Sequence, residues 1–396
     1  MKEALDVEQL RAETPGCGAG MHFNHSGASL PSQAVLAAIW DYLRKEAIEG
    51  PMEAASGTSA LLEEVRADTA ALIGADPNEI AFLTSGSAAW GAAFSALPPL
   101  VAGDRILVGR QEWGGNLATM QEAAARAGAR IETIPARDDG SVDASALASM
   151  IDDRVRLVSL TWLPANGGLI NDAAAVGRVT KGAGIPYFID AAQALGQIPI
   201  DVASLGCDVL KATGRKFLRA PRGTAILYVR QEFLPRLTPR SLDVLSGPIV
   251  DGVVKFRNDA RRFEAGEISP ALIFGLGAAI RQARTLGIGA IRARISGLSS
   301  ALRDNLRGIP NVTLRDMGTE LSGIVSFTVK GVPAADIRAA LAERQIAIGA
   351  NGVPYTPLDM TARGLDHIAR ASVSYLNTAS EIALLSEAVA DMARRV

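Results

Sequence analysis

The chain has 396 residues, 48% of them apolar, enough to bury a substantial core in two or three packed units of roughly 100 to 200 residues each. Forty Lys and Arg against 42 Asp and Glu leave a formal charge of -2, and neither sign forms a run. That balance argues against a nucleic-acid or anionic-membrane partner and leaves a small molecule as the expected one.

The amino-terminal segment, residues 1–20, reads MKEALDVEQLRAETPGCGAG: charged at first, with no apolar centre of a signal peptide. No apolar run approaches the ~20 residues of a membrane span, so the expected compartment is the cytoplasm. The two cysteines, Cys17 and Cys207, are too few for a disulfide framework. His22, His25 and His367 have no metal-ligand spacing, and no metal is expected. The glycine-rich stretch at 16–20 follows no strand and is no dinucleotide fingerprint.

From about residue 60 to 230, short β-branched runs alternate with Ala-rich stretches of helical period, the pattern of βαβ units on a mostly parallel sheet. The first informative pair is a strand at 80–82 running through Leu83-Thr84-Ser85 into a helix at Gly86-Ser87-Ala88. Backbone N–H groups at such a helix start suit a phosphate dianion, although Ser and Gly there also serve as an ordinary cap. Strands follow at 105–108, 155–160, 186–189, 208–210 and 225–229, with helices at 116–127 and 172–182 between them.

Two strand ends carry chemistry. Asp190 ends the 186–189 strand, where a carboxylate could face a pyridinium nitrogen and keep it protonated, or simply cap a helix. Gln193, three residues on, could donate to a phenolic oxygen. The strand at 208–210 leads through Lys211-Ala212-Thr213-Gly214-Arg215 to Lys216, on a turn at the carboxyl end of the sheet, where open α/β folds bind ligands. A lysine forming a Schiff base must lose its proton, and a buried one beside Arg215 would do so more easily. The same local sequence also describes a surface lysine on a basic loop.

Residues 231–270 form a Pro- and Arg-rich passage. A second unit then opens with a helix at 270–286, followed by helices at 291–307 and 333–344, strands at 323–329 and 371–375, and a closing helix from Ala379. The expected architecture is α/β: a large domain over 21–269 with a mostly parallel mixed sheet, and a smaller α+β domain over 270–396.

The Gly86 turn, Asp190 and Lys216, in this order and spacing, resemble the fold-type-I pyridoxal 5'-phosphate enzymes of the class V aminotransferase family, which holds cysteine desulfurases, selenocysteine lyases and kynureninase. The resemblance spans nearly the whole chain. It includes Phe23-Asn24-His25-Ser26-Gly27-Ala28-Ser29, Arg262-Phe263-Glu264-Ala265-Gly266 and Arg370-Ala371-Ser372-Val373-Ser374-Tyr375-Leu376-Asn377-Thr378. It implies pyridoxal phosphate on Lys216, with Asp190 at the ring nitrogen and Gly86, Ser87, Ala88, Thr213 and Arg215 around the phosphate. Position 215 is usually histidine in the family. Arg370 matches the arginine that grips a substrate carboxylate, and Trp113 stands where a ring-stacking residue is expected, a histidine in desulfurases and selenocysteine lyases. An indole stacks but moves no proton, which leaves Lys216 as the proton carrier at Cα.

The resemblance further implies a homodimer, with Ser269 reaching the partner's phosphate, and substrate contacts from His25, Ala28 and the 350–356 loop. That loop holds no cysteine, whereas a persulfide-forming desulfurase needs a thiolate there. Ala165 aligns with a family asparagine, and Asn166 one place later is the candidate replacement. The expected reaction is β-elimination at a Cβ–S bond, since Asp190–Gln197, Glu112–Leu117 and the Gly214-Arg215-Lys216 passage resemble hercynylcysteine sulfoxide lyases. An aminotransferase, or an epimerase like isopenicillin N epimerase, would use the same residues. A ligand sensor without turnover and a nicotinamide dehydrogenase are further readings, the latter disfavoured because no G-x-G-x-x-G follows a strand.

Overall fold

A computed structural model describes residues 5–395; Met1 to Ala4, the start of the expected segment 1–20, and Val396 lie outside it. The two longest helices ahead of the sheet, among the described residues, are α1 (Gln33–Glu49) and α2 (Ser59–Ile73). The sheet strands are β1 (Ile80–Leu83), β2 (Arg105–Val108), β3 (Arg130–Thr133), β4 (Val155–Thr161), β5 (Tyr187–Asp190), β6 (Val209–Thr213) and β7 (Ala225–Val229). Their spatial order is β1-β7-β6-β5-β4-β2-β3. Only β7 runs against its neighbours; the other pairings are parallel. The central strands are buried on both faces, which is why apolar residues occupy both sides of each strand rather than alternating with polar ones, Lys211 and the strand-end Asp190 and Thr213 being the exceptions.

Three crossover helices matter for the site: α3 (Gly86–Ser95), α4 (Gly114–Ala127) and α5 (Ala173–Ala183). The Pro- and Arg-rich passage includes an exposed antiparallel pair, Ile249–Val250 with Val253–Val254. Helices α6 (Pro270–Leu286) and α7 (Ile288–Arg307) then lead to the second sheet. Ile273, Leu276 and Ile280 of α6 pack into the core of the large sheet, so this helix ties the two halves together.

The smaller sheet contains β8 (Val312–Leu314), β9 (Ile324–Val329), β10 (Gly349–Gly352) and β11 (His367–Ser372), all antiparallel in the order β8-β9-β11-β10. Helices α8 (Ala334–Glu343) and α9 (Ala379–Ala393) cover it. The opening segment joins this unit: Met21–His22 pairs with Ile346–Ala347, and Phe23 packs in its core.

The strand expected at 371–375 is displaced. The observed strand starts at His367 and ends at Ser372, because Ala369, Arg370 and Ala371 pair with Phe327, Ser326 and Val325 on β9. Beyond it Asn377 accepts from Ser374 N at 2.9 Å and ends the extended chain. Arg370 therefore lies inside a central strand, not ahead of one.

Candidate active site

A cleft of about 260 Å³ opens at the carboxyl ends of β4, β5 and β6 and at the start of α3. Its floor is set by strand register. Thr161, Asp190 and Lys211 are direct neighbours across three parallel strands, so their side chains share one face. Lys211 Nζ sits 2.6 Å from Asp190 Oδ2, and both side chains are only 4% exposed.

Asp190 is tied on both oxygens: Oδ2 also accepts from Asn116 Nδ2 at 3.0 Å, and Oδ1 from Ala192 N at 2.9 Å. Burial alone would raise its carboxyl, but Lys211 and Lys216 together with these hydrogen bonds hold it below the usual aspartate range. Behind it Glu112, fully buried, accepts from Asn116, Ser159, Thr161 and the Trp113 amide. Desolvation pushes the Glu112 carboxyl up despite those donors.

Lys216 follows β6 on a turn whose geometry is fixed from outside. Arg219 takes a left-handed φ of 67° and spends its guanidinium on Leu30 O, Tyr375 Oη and Thr14 Oγ1. Gly196, at φ 86°, lies against Phe217 and Leu218 so closely that a Cβ would strike their backbone, a place only glycine fills. Lys216 is buried, and its Nζ stands 5.7 Å from the Trp113 ring centroid. Desolvation pushes its amine far below the ordinary lysine range; Asp190 opposes this, while Lys211, Arg215 and Arg370 add to it. Five residues apart, one lysine is ion-paired and the other is prepared to be a neutral nucleophile.

The phosphate end of the cleft is the start of α3, where Ser85 caps the helix by accepting from Ala88 N at 3.1 Å. Gly86 is required by close approach: an added Cβ would stand 2.7 Å from Thr213 Cγ2 and 3.3 Å from Lys211 Nζ. Thr213 Oγ1 and Arg215 Nη1 are buried without hydrogen-bond partners, facing this space. Burial and the nearby Arg222 lower the Arg215 guanidinium. A helix amino terminus, a free hydroxyl and a free guanidinium suit an anion, Asp190 suits a ring nitrogen, and Lys216 suits a carbonyl. These residues fit pyridoxal phosphate.

Of the residues expected from sequence, Gly86, Ser87, Trp113, Asp190, Gln193, Thr213, Arg215 and Lys216 line the cleft. Ala88 lies over a neighbouring groove, and its N–H is used by the Ser85 cap. Gln193 donates to Ser26 O at 3.2 Å and leaves its oxygen free, so it would have to turn its amide to donate to a phenolic oxygen. Arg370 is buried, donates to Ala165 O at 2.8 Å and keeps Nε unpartnered; burial brings its guanidinium down to about 10.

Others are directed elsewhere. His25 is buried beside His22, with Nδ1 2.6 Å from Ser29 Oγ, and lines a separate small crevice. Ala28 uses its carbonyl on His22 Nε2 at 2.9 Å. Asn166 donates to Gly352 O and Thr356 Oγ1 and accepts from Asn351, so it anchors the 350–356 loop while Ala165 faces the cleft. Ser269 is exposed at the start of α6, away from this cleft.

Sequence reasoning missed Lys211, Asn116, Glu112 and Tyr355. Tyr355 packs its ring at 5.7 Å from that of Trp113 at the mouth. Lys211 carried one legible signal: a lysine inside an otherwise apolar strand.

The family model for class-V aminotransferases matches residues 21–385. The chain belongs to this family. A relative from Xylella fastidiosa named "Probable cysteine desulfurase" is 30% identical over 95% of this chain and 93% of its own length. One from Mycobacterium tuberculosis named "Probable hercynylcysteine sulfoxide lyase" is 31% identical over 97% of this chain and 92% of its own. Among solved structures, the apo cysteine desulfurase of Thermococcus onnurineus superposes with a TM-score of 0.92 at 25% identity, covering 100% of both chains. The cystine C–S lyase C-DES, solved with its product cysteine persulfide, superposes at 0.86 and 25% identity, over 96% of this chain and 99% of its own.

Proposed function

We propose that this class-V enzyme uses pyridoxal 5'-phosphate to cleave the Cβ–S bond of a cysteine-derived amino acid by β-elimination, without a cysteine nucleophile. One observation carries the reading: Lys216 is the unpaired base of the cleft, and no His or Cys lines it among the described residues. Cys207 is buried just before β6, at the amino-terminal ends of β5 and β6 rather than at the cleft, with its thiol pushed far up by desolvation, and Cys17 lies in the small crevice beside His25. A persulfide-forming route would need a thiolate within reach of the substrate sulfur.

The cofactor, when bound, supplies an electron sink for the Cα–H bond. Arg370 holds the substrate carboxylate through two parallel N–H donors, which fixes the Cα–H bond toward Lys216. Lys216 Nζ takes that proton, the pair forms the Cα–Cβ double bond, and sulfur leaves with the Cβ–S pair and a proton. The released enamine hydrolyses to a keto acid and ammonia. Trp113 would stack on the cofactor ring and help exclude water, with Tyr355 packed against it. The two relatives named for C–S bond cleavage support this reading.

A homodimer is part of the proposal. Ile48 at 76%, Met52 at 75%, Val244 at 80% and Ile249 at 74% exposure are large apolar side chains that a second copy would cover. Ser269, exposed beside this passage, would then face the partner.

The deciding experiment incubates the holoenzyme with cysteine S-conjugates and their sulfoxides in the absence of any keto-acid acceptor. Pyruvate and ammonia in equal amounts are expected. Their absence, with conversion of the cofactor to its amine form instead, would replace the lyase with an aminotransferase.

A further inference from the structure

Lys211 is not needed to anchor the cofactor, yet it is buried at the bottom of the cofactor cleft. Its position is dictated by the sheet: Lys211 and Asp190 are paired residues on adjacent parallel strands, and Ala191 N donates to Lys211 O at 2.9 Å. The ion pair at 2.6 Å is therefore set by backbone register rather than by a loop that could move aside. At the start of α3 the bare Gly86 leaves room for the lysine: a Cβ there would stand 3.3 Å from Lys211 Nζ.

An ionised carboxylate offers about four acceptor positions. Asp190 has committed three of them, to Lys211, Asn116 and Ala192. A ring nitrogen arriving here finds one position left, on a carboxylate whose charge is already matched by an ammonium. We propose that Lys211 is a tuning residue for the cofactor: by sharing Asp190 with the ring nitrogen it loosens that nitrogen's proton and makes the cofactor a weaker electron sink. This rests on the cofactor assignment made above.

The other charged groups facing Asp190 act in both directions. Lys216 adds positive charge beside Asp190 only while its amine is protonated, a form that burial disfavours, and Arg215 acts on Lys216 rather than on Asp190. Glu112 lies behind Asn116 as the second buried carboxylate. Lys211 is the one group bonded to Asp190 through a full charge. A weaker sink stores the electron pair of the Cα–H bond less well, so it favours a substrate that expels the pair with a leaving group on Cβ. Returning a proton to the cofactor, as transamination requires, is disfavoured. Lys211 thus contributes to the choice of reaction as well as to the floor of the site.

The test loads the protein with ¹⁵N-labelled pyridoxal phosphate and follows the ring-nitrogen signal against pH. In the wild type the nitrogen is expected to lose its proton inside the pH range where the protein stays folded. In Lys211→Met the midpoint is expected to rise by about one to three pH units, the usual effect of removing a like charge at contact distance. Lys211→Gln, which keeps a hydrogen bond to Asp190 without the charge, should move it the same way, and Lys211→Arg should leave it near the wild-type value. As a second readout, the fraction of turnovers that end with the cofactor in its amine form should rise in Lys211→Met.

A wild-type nitrogen that stays protonated to the alkaline limit of folding overturns the proposal, even if no variant folds. So does an unchanged midpoint in variants that lose only thermal stability, which would make Lys211 structural. A protein that binds labelled cofactor without linking it to Lys216, or does not bind it, overturns the cofactor assignment itself and the inference with it.

Discussion

The floor of the cleft and its mouth are made in different ways. The floor, Thr161, Asp190, Lys211 and Thr213, sits on adjacent parallel strands whose register places the side chains before any loop is considered. The mouth joins Ala165 and Asn166 to Gly352, Thr356 and Arg370, residues almost 200 or more positions apart. The floor is a buried, charge-matched network, and the mouth is a set of hydrogen bonds between two domains. The floor is therefore fixed by backbone register, and the mouth by side-chain hydrogen bonds between segments distant in the chain.

Breaking the floor should cost most. Lys216→Ala is expected to abolish the visible absorbance of lysine-bound cofactor and to slow Cα–H exchange in deuterium oxide by about 10²–10⁴-fold or more, the worth of a positioned base. A variant that keeps the band would overturn the anchor assignment. The pH dependence follows from the same group. Because desolvation holds Lys216 far below the ordinary lysine range, its neutral amine extends to lower pH than that of an ordinary lysine. Cofactor loading onto the apo protein should therefore stay fast below the ordinary lysine range and slow only at lower pH; loading that accelerates only toward alkaline pH would mean an ordinary lysine.

At the mouth, Arg370→Lys keeps the charge but loses the planar pair of donors, and KM for the amino acid should rise about 10- to 100-fold, with cofactor binding unchanged. Equal loss of cofactor affinity would move Arg370 to the floor. Gly86→Ala tests close approach on the floor: the added methyl meets Thr213 Cγ2 at 2.7 Å, and overpacking of about 1–3 kcal/mol should weaken phosphate and cofactor binding about tenfold or more. The smallest effect is expected for Asn166→Ala, which removes the anchor of the 350–356 loop at about 1–3 kcal/mol of stability and should alter substrate preference without changing the absorbance of the bound cofactor.

The sequence by itself determined the α/β class, most strand positions, and the Gly86 turn, Asp190 and Lys216 as strand-end residues. These depend on short-range patterns: apolar runs of strand length, a small-residue helix start, and a polar residue where a strand stops. Tertiary structure decided the rest. It turned His25 into a separate crevice, gave Asn166 to the loop rather than the cleft, and set Arg370 inside β11, because each of those outcomes depends on pairing with segments distant in the chain. It also turned Lys211 from a lysine in an apolar strand into the partner of Asp190, since cross-strand register cannot be read from one strand alone.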